Sequence, residues 1–386
     1  MNLISYIKEL IDNSTYFYER LSGVVLYAVV LLFFFFFILK KKTSKNLTIA
    51  LNAYMVVLAV MAFFYVPAPS ADLSRWRIIT AIWPDMPLSY YVNTLLLSTP
   101  TPTAYVMMYL CSLTRIDGLL PALCALIFFY NFFYILKDLN RRHNVSPSAI
   151  AYALLFVMST GCFLEVISGV RCLVSLSILA RCFYDELYNK KSLFKNIPWA
   201  LIASLMHAMA LVVYAIWLAF RLYTGTKRTG GFVLISRLVL LLGIVILSVG
   251  QVYIINSAIN KALAFLTNGD SYSYIWEYLI RAISTGLLIA VFYKLRNTKY
   301  TDNRAAFFAF NLLLVFLEIV LCFEYSTSHR LTSLSLLTCL PFLCSYVSED
   351  NGKKVRKIVF TVSIVLLLLS CARGNLSGYK FFLLGN

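Results

Sequence analysis

Charged side chains inside otherwise apolar stretches are the residues of this sequence that could do chemistry. Arg171 lies in "CFLEVISGVRCLVSLSILARCF", residues 162–183, and Arg330 lies in "CFEYSTSHRLTSLS". A guanidinium group presents a planar fork of donors that matches phosphate oxygens, and placing it at the centre of a bilayer costs about 2.5–3.5 kcal/mol. The two arginines therefore predict an anion site near the end of a helix bundle.

A histidine in the apolar run "NIPWALIASLMHAMALVVYAIWLAF", residues 196–220, is a second candidate. This residue, His207, is the only imidazole in the run. An imidazole can serve as an acid or a base near neutral pH, although a lone intramembrane histidine more often hydrogen-bonds a neighbouring helix. Both interpretations of His207 stay open at this point.

A polar segment, "ADLSRWRIITAIWPD", supplies a third set of candidates. Aromatic faces beside carboxylates and guanidinium groups suit a sugar chain, and they equally suit an interfacial aromatic belt. Glu324 accompanies Arg330 and either joins the site or forms a simple ion pair with it. The candidate substrate-binding residues are Asp72, Arg75, Trp76, Arg77 and Glu324.

Two further charge pairs have i to i+4 spacing on helices. Arg181 with Asp185, and Glu277 with Arg281, are interpreted as ordinary ion pairs on one helix face. No residues have metal-ligand spacing, no cofactor-binding motif occurs, and nine scattered cysteines are interpreted as packing residues.

The elements that must position these residues are apolar helices. Of the 386 residues, 61% are hydrophobic and only 13% are charged, far from the composition of soluble domains. The formal charge of +17 comes from short basic clusters between apolar runs, which is typical of cytoplasmic loops and not of nucleic-acid binding. The sequence predicts an integral membrane protein.

Orientation follows if each basic cluster faces the cytoplasm, because Lys and Arg are enriched in cytoplasmic loops. The N-terminus is then outside, and Arg171 and Arg330 lie at the outer surface. The predicted spans are 22–39, 47–66, 118–136, 147–168, 172–189, 232–254, 277–293, 305–323, 331–347 and 357–371.

The segment 196–220 lies between two basic clusters and, if both of them face the cytoplasm, crosses the membrane an even number of times. Two arms of about 12 helical residues would each rise about 18 Å, so a re-entrant hairpin with His207 near its apex is one interpretation. A single span is the alternative. The expected fold is an all-α polytopic membrane bundle of about 10–12 transmembrane helices. It forms one domain over 1–386, with larger outer loops near 67–117 and 255–276.

A family resemblance rests on the order of these motifs. The segments "SGVRCLVSLSILARCFYDELYNKK" and "ALIASLMHAMALVVYAIWL" resemble the EpsG-type polymerases, which are related to Wzy O-antigen polymerases. That family has an "iRQ-x-LA" helix, a Lys-rich turn and an "FHxSA" helix. Arg171 and His207 match the family Arg and His, whereas Cys172 stands at the usual Gln and Met206 at the Phe. "HRLTSLSLLTCLP" is similar to the late Arg helix.

The resemblance implies an enzyme of the bacterial inner membrane with an active site facing the periplasm. Such an enzyme joins oligosaccharide repeat units carried on undecaprenyl diphosphate into O-antigen, capsule or exopolysaccharide, and a chain-length regulator is a possible partner. Arg171, Arg330 and His207 are the expected catalytic residues. A flippase of lipid-linked sugars, a membrane O-acyltransferase and a ligase that transfers finished glycan are the alternatives.

Overall fold

The computed structural model describes residues 23–67, 71–224, 272–298, 302–322, 325–348, 352–377 and 380–381. The predicted span 232–254 and most of the predicted loop 255–276 lie outside this part of the chain. The first half contains α1 Gly23–Leu39, α2 Ser44–Phe63, β1 Tyr65–Val66, α3 Asp72–Thr80, α4 Leu88–Tyr90, α5 Pro102–Ser112, α6 Leu119–His143, α7 Pro147–Ser159, α8 Cys162–Gly169, α9 Cys172–Phe183, α10 Leu193–Met206 and α11 Ala208–Thr224. The second half contains α12 Tyr272–Leu295, α13 Asp302–Val320, α14 Tyr325–Thr338, α15 Leu340–Ser348, α16 Gly352–Ser377 and β2 Lys380–Phe381.

The described residues form a helical bundle, which confirms the all-α polytopic prediction. Within the described ranges, four helices are long and apolar enough to cross a bilayer alone, and they lie in α2, α6, α12 and α16. Two bent pairs, α7 with α8 and α14 with α15, raise this number to six, with bends of 54° and 52°. Several predicted spans are thus shorter helices or broken ones, because a packed bundle lets neighbouring helices satisfy the interrupted backbone.

Helix α9 is the most enclosed element near the candidate residues. Its side chains are buried from Leu173 through Ala180, on every side of the helix. A helix that is buried all round belongs at the centre of a bundle. It continues as a π-helical turn, Tyr184–Tyr188, and packs against α6, α10 and α14.

The basic clusters converge at one end of the bundle, which we call the basic end. The Arg141 guanidinium donates to the Thr48 hydroxyl at 3.2 Å, and Arg304 lies 2.9 Å from His143. His143 in turn lies 3.0 Å from Asn189. These contacts join the start of α2, the end of α6, the turn after α9 and the start of α13. The structure thus places side by side the turns that the positive-inside rule assigned to one membrane face.

Helices α10 and α11 form a hairpin over 193–224. Near the start of α10, the Asn196 amide donates to the Cys182 carbonyl at 3.2 Å, at the basic end of α9. Near the end of α11, Arg221 pairs with Glu186 at 2.9 Å, in the π-helical turn of α9. Both feet of the hairpin therefore lie at the basic end, and its apex at His207 is directed toward the opposite end, which we call the far end.

The loop 67–117 is partly helical and covers the far end of the hairpin. Helix α5 lies within this loop and packs against α10. Trp83, expected in a sugar surface or an aromatic belt, is instead fully buried and stacks on Tyr105 with ring centroids 5.6 Å apart. It therefore stabilises the loop and presents no face to a ligand.

The two predicted helix-face ion pairs have different outcomes. Glu277 and Arg281 do pair, with an N–O distance of 3.8 Å. The Arg181–Asp185 prediction was wrong, because Asp185 binds Lys191 at 2.9 Å. The π-helical turn that contains Asp185 changes the register after α9, so the i to i+4 spacing no longer places Asp185 beside Arg181.

A thiol-labelling experiment tests the orientation. All nine cysteines are free, and Cys322, next to the far-end terminus of α13, is the only exposed one. If the far end is outside, a membrane-impermeant maleimide will label Cys322 in right-side-out vesicles, and Cys322→Ser will remove the label. Exposed Lys42, at the basic end, supplies the matched control: Lys42→Cys in the Cys322→Ser chain should be labelled only in inside-out vesicles. The opposite pattern would reverse the topology.

Candidate functional site

Arg171 is held at the start of α9 by an unusual turn. Val170, which precedes it, has φ 40°, a left-handed conformation that β-branched residues rarely adopt. The Val170 side chain is buried, and the Val170 backbone carbonyl accepts a hydrogen bond from the Cys124 thiol at 3.1 Å. Strained backbone of this kind is maintained by the surrounding packing and is frequent at functional sites. The turn fixes where α9 begins and hence where Arg171 lies.

Trp76 covers the guanidinium group of Arg171. The Arg171 Cζ lies 4.7 Å from the Trp76 ring centroid, a cation–π contact. Helix α3, which carries Trp76, packs against α8 and α5, and Tyr105 of α5 contacts the Trp76 ring edge-on at 5.7 Å. The loop 67–117 therefore positions the Trp76 ring against the Arg171 guanidinium.

The charge of Arg171 is maintained in a partly buried position. Burial lowers the pKa of Arg171 from its ordinary value, and the carboxylate of Asp72 acts in the opposite direction. The guanidinium of Arg330 repels that of Arg171 and also acts to lower this pKa. Arginine remains protonated despite such shifts because its ordinary pKa exceeds 12. Arg171 is thus a permanent cation close to Arg330 and Asp72.

His207 lies at the apex of the hairpin with an extended backbone, φ −154° and ψ 134°. Its Nδ1 accepts the backbone N–H of Met209 at 3.1 Å, so the side chain caps the first turn of α11. A neutral imidazole that accepts through Nδ1 carries its proton on Nε2. His207 therefore presents an N–H donor, and not a lone pair, on its other side.

Arg171, Arg330 and His207 come together at the far end. Both guanidinium groups are close enough to the His207 ring to act on it electrostatically. They also act on the thiol of Cys172, the first residue of α9. The three predicted catalytic residues, from the start of α9, from α14 and from the hairpin apex, thus converge into one positively charged cluster.

A carboxylate–imidazole pair beside this cluster was not predicted from the sequence. His329 Nε2 lies 2.9 Å from Glu165 Oε2, with both side chains mostly buried. Glu165 also acts electrostatically on Cys172, which places the pair next to the two arginines. The only sequence signals were that Glu165 precedes Arg171 by six residues and that His329 adjoins Arg330.

The remaining predicted substrate-binding residues lie in different places. Arg75 pairs with Asp72 on the exposed side of α3, at the rim of the cluster. Arg77 instead donates to the Tyr65 and Asp117 carbonyl oxygens, each at 3.2 Å, and faces a separate cavity of about 220 Å³. Its contacts tie α3 to the end of β1 and to the loop before α6. Glu324 lies outside the described residues.

The class of protein follows from this geometry. Within the described ranges, no three His, Cys, Asp or Glu side chains converge as metal ligands. The chain is an integral membrane helical bundle with a cationic, aromatic-covered cluster at the end opposite its basic loops.

Comparison with known proteins supplies the family. The model of the EpsG family matches residues 105–383, and the chain belongs to this family. The match contains Arg171, His207 and Arg330, whereas α3 with Trp76 precedes it. No curated protein and no solved structure matches the chain. Membership of the family supports a general role as an exopolysaccharide-related polymerase that uses a lipid-linked saccharide.

The capping role of His207 can be separated from any chemical role. Asparagine at the same position keeps an acceptor for the first turn of α11, whereas alanine does not. We expect His207→Asn to retain the wild-type melting temperature in detergent. His207→Ala should lose about 1 kcal/mol of unfolding free energy and melt at a lower temperature. Equal melting of the two variants would mean that the Met209 contact contributes nothing.

Proposed function

We propose that this chain is a glycosyltransferase-type polymerase of the bacterial inner membrane. It joins oligosaccharide repeat units carried on undecaprenyl diphosphate, in the synthesis of O-antigen, capsule or exopolysaccharide. The single observation that carries the proposal is the convergence of Arg171, Arg330 and His207 at the far end of the bundle. Family membership supports the class of reaction.

The charge of the cluster favours a diphosphate as the group that binds there. Two permanent cations repel each other in a partly buried site, and only an anion between them removes that repulsion. Guanidinium forks match phosphate oxygens, and Arg171 is held in one orientation by Trp76. A lipid diphosphate can reach the far end from the membrane while its sugars extend outside.

The reaction transfers the growing glycan to a newly delivered unit. The hydroxyl oxygen of the terminal acceptor sugar attacks the anomeric carbon of the donor, and the bond from that carbon to the diphosphate oxygen breaks. The diphosphate leaves with the electron pair, and the acceptor hydroxyl proton passes to a base. Arg171 and Arg330 stabilise the charge that develops on the leaving diphosphate, as preorganised cations do.

The tautomer of His207 assigns it an orienting role in this proposal. Its Nε2–H can donate to a diphosphate oxygen or to the acceptor oxygen, whereas its Nδ1 is occupied by the Met209 N–H. The proton-accepting role suits the Glu165–His329 pair better, because a carboxylate that holds an imidazole orients it, as in catalytic acid–base pairs. Asp72 remains a rival base, since it lies within electrostatic reach of Arg171.

Substitution of Arg171 tests the proposal directly. Arg171→Ala should eliminate long glycan chains, since loss of one preorganised donor to a developing charge slows a reaction about 10²–10³-fold. Single lipid-linked units should accumulate on the outer membrane face, as seen by electrophoresis of glycans and by digestion with an externally added glycosidase. Arg171→Lys should retain little activity because a lysine cannot reproduce the fork.

Arg115 provides the matched control, because it is an exposed arginine of the same loop that pairs with Asp85 at 2.6 Å. Arg115→Ala should give normal chain lengths. A normal chain-length ladder from Arg171→Ala would refute the assignment of Arg171. Accumulation of the single unit on the cytoplasmic face would identify a transporter instead of a polymerase.

The base assignment has its own test. Glu165→Gln removes the carboxylate that holds His329 while keeping its shape, so kcat for polymerisation should fall about 10²–10⁴-fold. The KM for the lipid-linked donor should change little, because the two arginines remain. Reconstituted enzyme with a defined lipid-linked unit gives both constants, and the melting temperature checks folding. Wild-type kcat in both Glu165→Gln and His329→Gln would leave Asp72 as the base.

A further inference from the structure

A second cavity lies toward the basic end of the bundle, away from the cluster of Arg171, His207 and Arg330. It has a volume of about 580 Å³ and is bounded by α2, α6, α9 with its π-helical turn, and the start of α10. Arg181, which lines it, follows Arg171 by ten residues on α9, a rise of about 15 Å. The cavity is therefore separate from the proposed polymerase site. We call it the basic-end pocket.

The basic-end pocket is apolar along one part of its wall and cationic along another. Met55, Leu126 and Ile178 line the apolar part. Tyr130 on α6 and Trp199 on α10 line it as well, and each is about half exposed, at 50% and 54%. Because exposed aromatic side chains on a membrane bundle face lipid or the interface, the pocket is open to the side between α6 and α10.

The cationic part contains more positive than negative charge. Arg181, Lys191 and Lys195 line the pocket together with one carboxylate, Asp185. That carboxylate is already satisfied by the Lys191 amine at 2.9 Å, by the Tyr134 hydroxyl and by the Asn189 amide. Lys191 and Asp185 offset each other, which leaves the charges of Arg181 and Lys195 for a ligand.

Arg181 is oriented by neighbouring side chains but forms no ion pair within the part of the chain that the structure describes. Its Cζ lies 4.1 Å from the Tyr134 ring centroid and 5.3 Å from that of Tyr130. Its polar contact is with the Asn131 amide oxygen at 3.3 Å. Two rings and one neutral acceptor orient the guanidinium without neutralising it, so a half-buried cation faces the cavity.

We propose that the basic-end pocket binds an anionic phospholipid of the cytoplasmic leaflet. The phosphate group lies between Arg181 and Lys195, and an acyl chain passes along Met55, Leu126 and Ile178 to leave between Tyr130 and Trp199. Basic pockets between membrane helices on the cytoplasmic side recognise such head groups through charge. The volume suits a head group with the upper part of its chains. This proposal holds independently of the polymerase reaction.

Fluorescence quenching of Trp199 by brominated lipid provides the test. The full chain is reconstituted in phosphatidylcholine bilayers containing a fixed minor fraction of either brominated phosphatidylglycerol or brominated phosphatidylcholine. Subtraction of the Trp199→Phe signal isolates Trp199 from the other tryptophans. Phosphatidylglycerol should quench Trp199 more than phosphatidylcholine at the same fraction, and this excess should saturate as the fraction rises.

Charge variants locate the head group. Arg181→Gln and Lys195→Gln should each weaken the apparent affinity for phosphatidylglycerol about fivefold, the factor for about 1 kcal/mol per cation near a membrane surface. Lys195 is exposed, so its replacement leaves the packing intact. Lys42→Gln, an exposed lysine of the same end outside the pocket, should leave the affinity unchanged.

Three results would overturn the proposal. Equal quenching by the two brominated lipids would show that the pocket does not select charge. An unchanged excess in the Arg181→Gln, Lys195→Gln double variant would place the head group elsewhere. Removal of the excess by soluble glycerol phosphate at constant ionic strength would show that a free phosphate, and not a lipid, is the ligand.

Discussion

Repulsion between Arg171 and Arg330 is the interaction that constrains the rest of the far end. Two cations held close to each other in a partly dehydrated site destabilise the protein unless other groups offset their charge. Trp76 offers a ring face to Arg171, Asp72 lies within electrostatic reach of Arg171, and Glu165 acts electrostatically on Cys172, as both arginines do. These groups reduce the repulsion and leave a net positive site that an anionic ligand completes.

The same constraint explains the architecture around α9. A helix buried on all sides gives Arg171 a rigid base, and the strained Val170 turn sets its direction. The hairpin of α10 and α11 returns to the basic end, where Arg221 and Trp217 both bind Glu186, at 2.9 and 3.1 Å. Because Asn196 fixes one foot to the end of α9 and Arg221 fixes the other to the π-helical turn that follows it, the apex places His207 beside the arginines that α9 and α14 carry.

The two ends of the bundle handle charge differently. At the far end, the start of α9 contributes Arg171, α14 contributes Arg330, and the hairpin apex contributes the His207 imidazole. At the basic end, the carboxylates Asp138, Asp185 and Glu186 each pair with a nearby basic side chain, as in the Asp138–Arg142 pair at 3.0 Å. Arg181 forms no such pair within the described residues, since its expected partner Asp185 is bonded to Lys191. The π-helical turn after α9 therefore prevents an Arg181–Asp185 ion pair, and the Arg181 guanidinium instead faces a cavity that is accessible to lipid.

The sequence by itself determined the helical membrane class, the gathering of basic turns at one end and the placement of Arg171 and Arg330 at the other, whereas for 196–220 it left a hairpin and a single span open. Hydropathy and charge distribution carry this information because they act over neighbouring residues. Only the tertiary structure decided that Trp76 covers Arg171, that Glu165 meets His329, that Arg77 faces elsewhere and that His207 donates through Nε2. The first three contacts join residues far apart in the chain, and the last depends on the extended backbone of His207 and its bond from the Met209 N–H, so packing and local geometry set them.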